Sequence, residues 1–97
     1  MKRKYRFISL KSRLDLQSLK HHLVLTFHKK HVEGSYRGRN AITKAPVYGS
    51  FKTSIRSSLN QFERRCVAFH ILGKIRRLGL AEVEHTNYAE VFMSCFE

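Results

Sequence analysis

Apolar positions along the chain fall into three stretches of different period. In the first, Leu16, Leu19, Leu23 and Phe27 recur at helical spacing, which predicts a helix opening at Asp15 as its N-cap. Leu14 and Leu19 flank that start at the spacing of a hydrophobic staple, Lys29, Lys30 and His31 fall in the last turn, and Gly34 suits its end. Leu23, Leu25 and Phe27 also fit one face of a strand, a rival reading that period alone leaves open. Upstream, Lys4 to Leu10 reads as a short extended arm or strand. Residues 34–50, with Gly34, Ser35, Gly38, Asn40, Pro46 and Gly49, read as a loop-rich middle.

The second half carries the clearest pattern. Ile55 and Leu59 mark a short helix from about Phe51 to Leu59. A longer one follows over Gln61–Leu78, with Val67, Ile71, Ile75 and Leu78 on one face and Ala68 beside them. Arg65, Cys66, Phe69, Gly73, Arg76 and Arg77 gather opposite, and Gly79 ends the helix. Leu80–Glu84 and Tyr88–Phe96 then alternate around His85-Thr86-Asn87, the pattern of a β-hairpin. The expected class is α+β, helices followed by a C-terminal hairpin, with a basic arm over 1–12 and one domain over 13–97.

Charge changes the picture from fold to partner. The chain has a formal net charge of +12, and all 19 lysines and arginines lie in residues 1–80 beside only Asp15, Glu33 and Glu63. Residues 81–97 hold Glu82, Glu84, Glu90 and Glu97 and no base. A field of this sign attracts polyanions, with counterion release on nucleic acid giving salt-dependent binding. No apolar run approaches the roughly 20 residues of a spanning helix, so no membrane role is expected. Two cysteines are too few for a disulfide scaffold and no signal peptide is seen, so a reducing compartment, cytoplasm or nucleus, is expected.

The run Ile71-Leu72-Gly73-Lys74-Ile75-Arg76-Arg77-Leu78-Gly79-Leu80-Ala81-Glu82-Val83-Glu84 resembles the junction of recognition helix and wing in the winged helix-turn-helix superfamily. That likeness covers about Phe51 to Phe96. It implies that Phe51–Leu59 supports a recognition helix whose N-terminal Asn60, Gln61, Arg64 and Arg65 reach base edges, with Arg76 and Arg77 nearer the phosphate backbone. Two features depart from the pattern: Asn60-Gln61-Phe62 supplies no glycine or small residue for the turn, and the wing is acidic. Independently of the likeness, Lys29, Lys30, Arg37 and Arg39 are candidate phosphate contacts, and Tyr36 beside Arg37 offers stacking.

Other chemistry finds less support. His28, His31, Cys66 and His70 could supply four zinc ligands, but their spacing matches no common finger and lysines adjoin them, so surface histidines and no metal are expected. The basic part holds no pair of carboxylates, there is no phosphate loop, and nothing orients a Cys66–His70 pair, so no enzyme and no cofactor are expected. The reading is a DNA-binding regulator or replication accessory factor, with DNA favoured over RNA. An RNA-binding protein of ribosomal type and an interaction or inhibitor module using the acidic hairpin stand as alternatives. Tyr88, Phe92 and Phe96 on that hairpin are candidates for a homodimer contact.

Overall fold

The computed structural model describes the backbone of residues 5–7 and all of residues 13–55 and 59–84. Five strands, β1 (Tyr5–Phe7), β2 (Arg13–Gln17), β3 (His22–Phe27), β4 (His31–Arg39) and β5 (Pro46–Ser54), form one antiparallel sheet in chain order. A long helix α1 (Gln61–Leu78) and a short α2 (Leu80–Glu84) follow. The fold is α+β, but strands come first and helices last. The expected helices-then-hairpin order, and the winged-helix-like architecture with it, is overturned.

The helix expected from Asp15 is instead a strand, a turn and a second strand. Leu14 and Leu16 on β2 stand opposite Leu25 and Leu23 on β3, so the period-two set is the one that the sheet buries. Leu19, which completed the helical spacing, lies in the intervening turn and is 99% exposed. The loop-rich middle is also mostly strand. Val32, Gly34, Tyr36 and Gly38 point inward on β4, facing Thr53, Phe51, Gly49 and Val47 on β5. Glycines at inward positions leave fewer apolar residues to mark the alternation. Phe51 to Ser54, expected as helix, continues β5, and Leu80–Glu84, expected as strand, is α2. The second hairpin strand and the dimer candidates Tyr88, Phe92 and Phe96 lie outside the described residues.

Helix α1 spans the residues that its period predicts. Val67, Ala68, Ile71 and Ile75 are fully buried against the inner sheet face, where Leu14, Leu23, Leu25 and Val32 are equally sealed from water. Gly79, at φ 99, stops the helix in a conformation that disfavours side chains, and α2 then turns Val83 into the same core. At the start, the Asn60 side chain accepts the Glu63 N–H at 2.8 Å while Glu63 Oε1 accepts the Asn60 N–H at 2.9 Å. This reciprocal cap satisfies two donors that the first turn cannot pair. Asn60→Ala is expected to cost about 1 kcal/mol, visible as a lower midpoint in urea, and Asn60→Asp far less. Equal losses in the two variants would remove the cap as the cause.

Candidate nucleic-acid interface

Helix α1 covers one face of the sheet; the other carries side chains in cross-strand rows. Gln17, His22, Arg37 and Tyr48 stand in register across β2 to β5. The next row is Asp15, Val24, Ser35 and Ser50, and the one beyond is Arg13, Thr26, Glu33 and Lys52. Over β4 and β5 the middle row is low, two serines between taller neighbours. The result is a trough with a floor at Ser35 and Ser50. It is a shallow, open depression of about 370 Å³ on the side of His22 and Arg37 and about 450 Å³ on the side of Thr26, Glu33 and Lys52.

Elementary sheet geometry sets the size of this feature. The outer rows are four residues apart along each strand, or about 13 Å, and β2 to β5 span about 14 Å across the strands. Tyr48 is 74% exposed on one wall beside the exposed Arg37, so an aromatic ring and a guanidinium are accessible together there. Three carboxylates border the trough: Glu84 of α2 lines its Thr26–Lys52 side, and the two on the strands, Asp15 and Glu33, are engaged locally. Asp15 Oδ1 lies 2.8 Å from His22 Nε2, and Glu33 sits between His28 and His31 at 3.2 and 3.8 Å. Arg13, Arg37, Arg39 and Lys52 are exposed on the same face, and Lys29 and Lys30 project from the β3–β4 turn at one end of the sheet. Arg39 also donates to the Lys44 carbonyl at 2.9 Å, which ties it to the β4–β5 loop.

The inner face braces the platform from behind. The Tyr36 hydroxyl lies 2.8 Å from His21 Nδ1, and the two rings stack. Burial, then the positive charges of Arg76 and Lys20, hold the His21 imidazole below its ordinary pKa, which favours the neutral ring. Burial likewise raises the Tyr36 phenol. A small cavity of about 150 Å³ opens beside His21, with Leu72 and Arg76 among its walls.

The expected contacts divide between the two sides of the molecule. Arg37 and Arg39 lie on the open sheet face, and Lys29 and Lys30 at its hairpin tip. Arg64 does not reach outward: its guanidinium lies 5.5 Å from the centroid of the Phe27 ring, a cation–π contact under the helix. Asn60 is occupied in the helix cap, and Gln61 is exposed beside it. Arg76 is half-buried, with its carbonyl accepting the Ala41 N–H, whereas Arg65 and Arg77 are exposed on the far side of α1. Tyr48, Lys52, Ser35 and Ser50 were not among the sequence candidates. Tyr48, Ser50 and Lys52 alternate with Val47, Gly49, Phe51 and Thr53, and that period of two is the signal that could have found them. The four ligands considered for zinc do not assemble: His28 and His31 lie on the β3–β4 hairpin, and Cys66 and His70 on α1.

No helix among the described residues is long and apolar enough to cross a membrane. Compared with known proteins, the chain matches no family model, no curated protein and no solved structure.

Proposed function

We propose that this protein binds single-stranded nucleic acid in the trough on the open face of its sheet. The observation that carries the reading is the Gln17–His22–Arg37–Tyr48 row, which raises an aromatic ring and a guanidinium together above a floor of serines. Bases stack on exposed rings whatever their identity, and basic groups alongside take the phosphates. The trough is about 13 by 14 Å, room for a few nucleotides of one strand. A duplex keeps its bases stacked inside and offers no ring face to Tyr48. The net charge of +12 supplies the long-range attraction. Docking of α1 in a major groove is not part of the reading, because Asn60 and Arg64 serve the fold.

The test is a salt-titrated binding assay with single-stranded RNA, single-stranded DNA and duplex DNA of equal length. Both single strands are expected to bind more tightly than the duplex at physiological salt, with log K falling linearly against log salt by roughly 0.7 per phosphate engaged. The RNA and DNA arms separate the two sugars. A duplex preference, or no binding near physiological salt, discards the reading.

A further inference from the structure

We infer that the β3–β4 hairpin holds a site for a late first-row transition-metal dication, with the imidazoles of His28 and His31 and the carboxylate of Glu33 as ligands. Lys29 and Lys30 make a two-residue turn, closed by the His28 N–H donating to the His31 carbonyl at 2.8 Å. That closure sets the two histidines opposite each other, with rings stacked at 4.3 Å between centroids and 14° between planes. Both present Nε2 to one carboxylate: His28 to Oε1 at 3.2 Å and His31 to Oε2 at 3.8 Å. One donor atom from each residue lies within 4.8 Å of the other two.

Four ligands at 2.0–2.1 Å around a tetrahedral ion stand about 3.3 Å from one another. To close on an ion the two stacked rings must unstack and tilt so that both Nε2 lone pairs meet at one point, over a backbone that the β3–β4 ladder already fixes. Two imidazoles and one carboxylate leave a fourth position for water, as in open zinc sites.

The surroundings select the class of ion. Lys52 stands opposite Glu33 in register, and Lys29 and Lys30 form the turn itself, so a cation enters against nearby positive charge. Zn²⁺, Ni²⁺, Co²⁺ and Cu²⁺ bond imidazole strongly enough to do so. Mg²⁺ and Ca²⁺, which need several oxygen ligands, find only one carboxylate here. The site stands on its own geometry and does not rest on nucleic-acid binding.

The test uses the full chain, stripped with chelator and titrated with Zn²⁺ or Ni²⁺ by calorimetry, with Co²⁺ followed by its visible absorption. One equivalent is expected to bind, unaffected by excess Mg²⁺, with backbone amide shifts in NMR centred on residues 27–33. His28→Ala, His31→Ala and Glu33→Gln change partly exposed side chains and leave the fold intact by circular dichroism. Each is expected to weaken binding by at least the roughly 10–100-fold that loss of an outer-shell partner costs. Cys66→Ser with His70→Ala is expected to change nothing. Unaltered affinity in the hairpin variants, shifts centred on α1, or no saturation at submillimolar metal would each overturn the inference.

Discussion

Gly34→Val is expected to lower the thermal midpoint by on the order of 10–20 °C, an overpacking cost of about 2–3 kcal/mol in a domain of this size. Gly34 sits inward on β4 between Leu25 of β3 and Phe51 of β5. A Cβ there would stand 2.4 Å from Phe51 Cζ and 2.7 Å from Leu25 Cδ2. Neither neighbour can withdraw, since Leu25 is fully buried and Phe51, on the strand that α2 packs against, is only 4% exposed. The Phe51 ring lies across the space that a side chain at 34 would claim. The milder Gly34→Ala, combined with Phe51→Leu, tests the cause. Shortening the ring should make room for the new methyl, so the double variant should lose less than the two single losses together. Additive losses in a double-mutant cycle followed by circular dichroism would show that this contact is not responsible.

Arg37→Glu combined with Tyr48→Ala is expected to weaken binding to single-stranded nucleic acid about 100-fold. This combines one stacking contact, about 1–3 kcal/mol, with the reversal of one phosphate contact. Arg65→Glu with Arg77→Glu changes the net charge by a larger amount, but on the opposite side of the molecule, and should cost only a few-fold through the long-range field. Tyr48→Phe keeps the ring and should bind nearly as the parent does. The salt slope adds an independent reading: it should fall by roughly 0.7 for the phosphate that Arg37 engages and stay constant in the helix pair. A greater loss from the helix pair than from the sheet pair would place the interface on α1 and sink the proposal.

Both predictions turn on features that the sequence hides to different degrees. Helix α1 was legible because its buried residues are all apolar at helical spacing and Gly79 marks its stop, whereas Asn60, expected as a base contact, is its cap. Strands β2 and β3 were half legible. The period-two set of β3, Leu23, Leu25 and Phe27, was visible as a rival reading, but Leu16 of β2 and Leu19, exposed in a turn, joined Leu23 and Phe27 in a false helical series. Strands β4 and β5 were obscured because tertiary packing requires glycine where an alternating pattern would show an apolar side chain. Gly34 makes room for Phe51 and Leu25, and Gly38 makes room for the Tyr36 hydroxyl and His21. The platform was obscured with them. Arg37 and Arg39 were recognisable as charge, but Tyr48 joins Arg37 only through the β4–β5 register. Arg64 shows the converse: a basic residue at a helix start reads as a contact until Phe27, 37 positions earlier, is seen beneath it.

The sheet order has a kinetic consequence. Because β1 to β5 pair in chain order, consecutive strands are separated by at most six residues and no strand waits for a distant segment. Closure entropy at each step is small, and topologies built from such local pairings fold quickly. The long-range step is the return of α1 across Leu14, Leu25 and Val32. Every backbone position of the open face is therefore specified by hairpin closures, and the helix contributes the burial that makes them permanent.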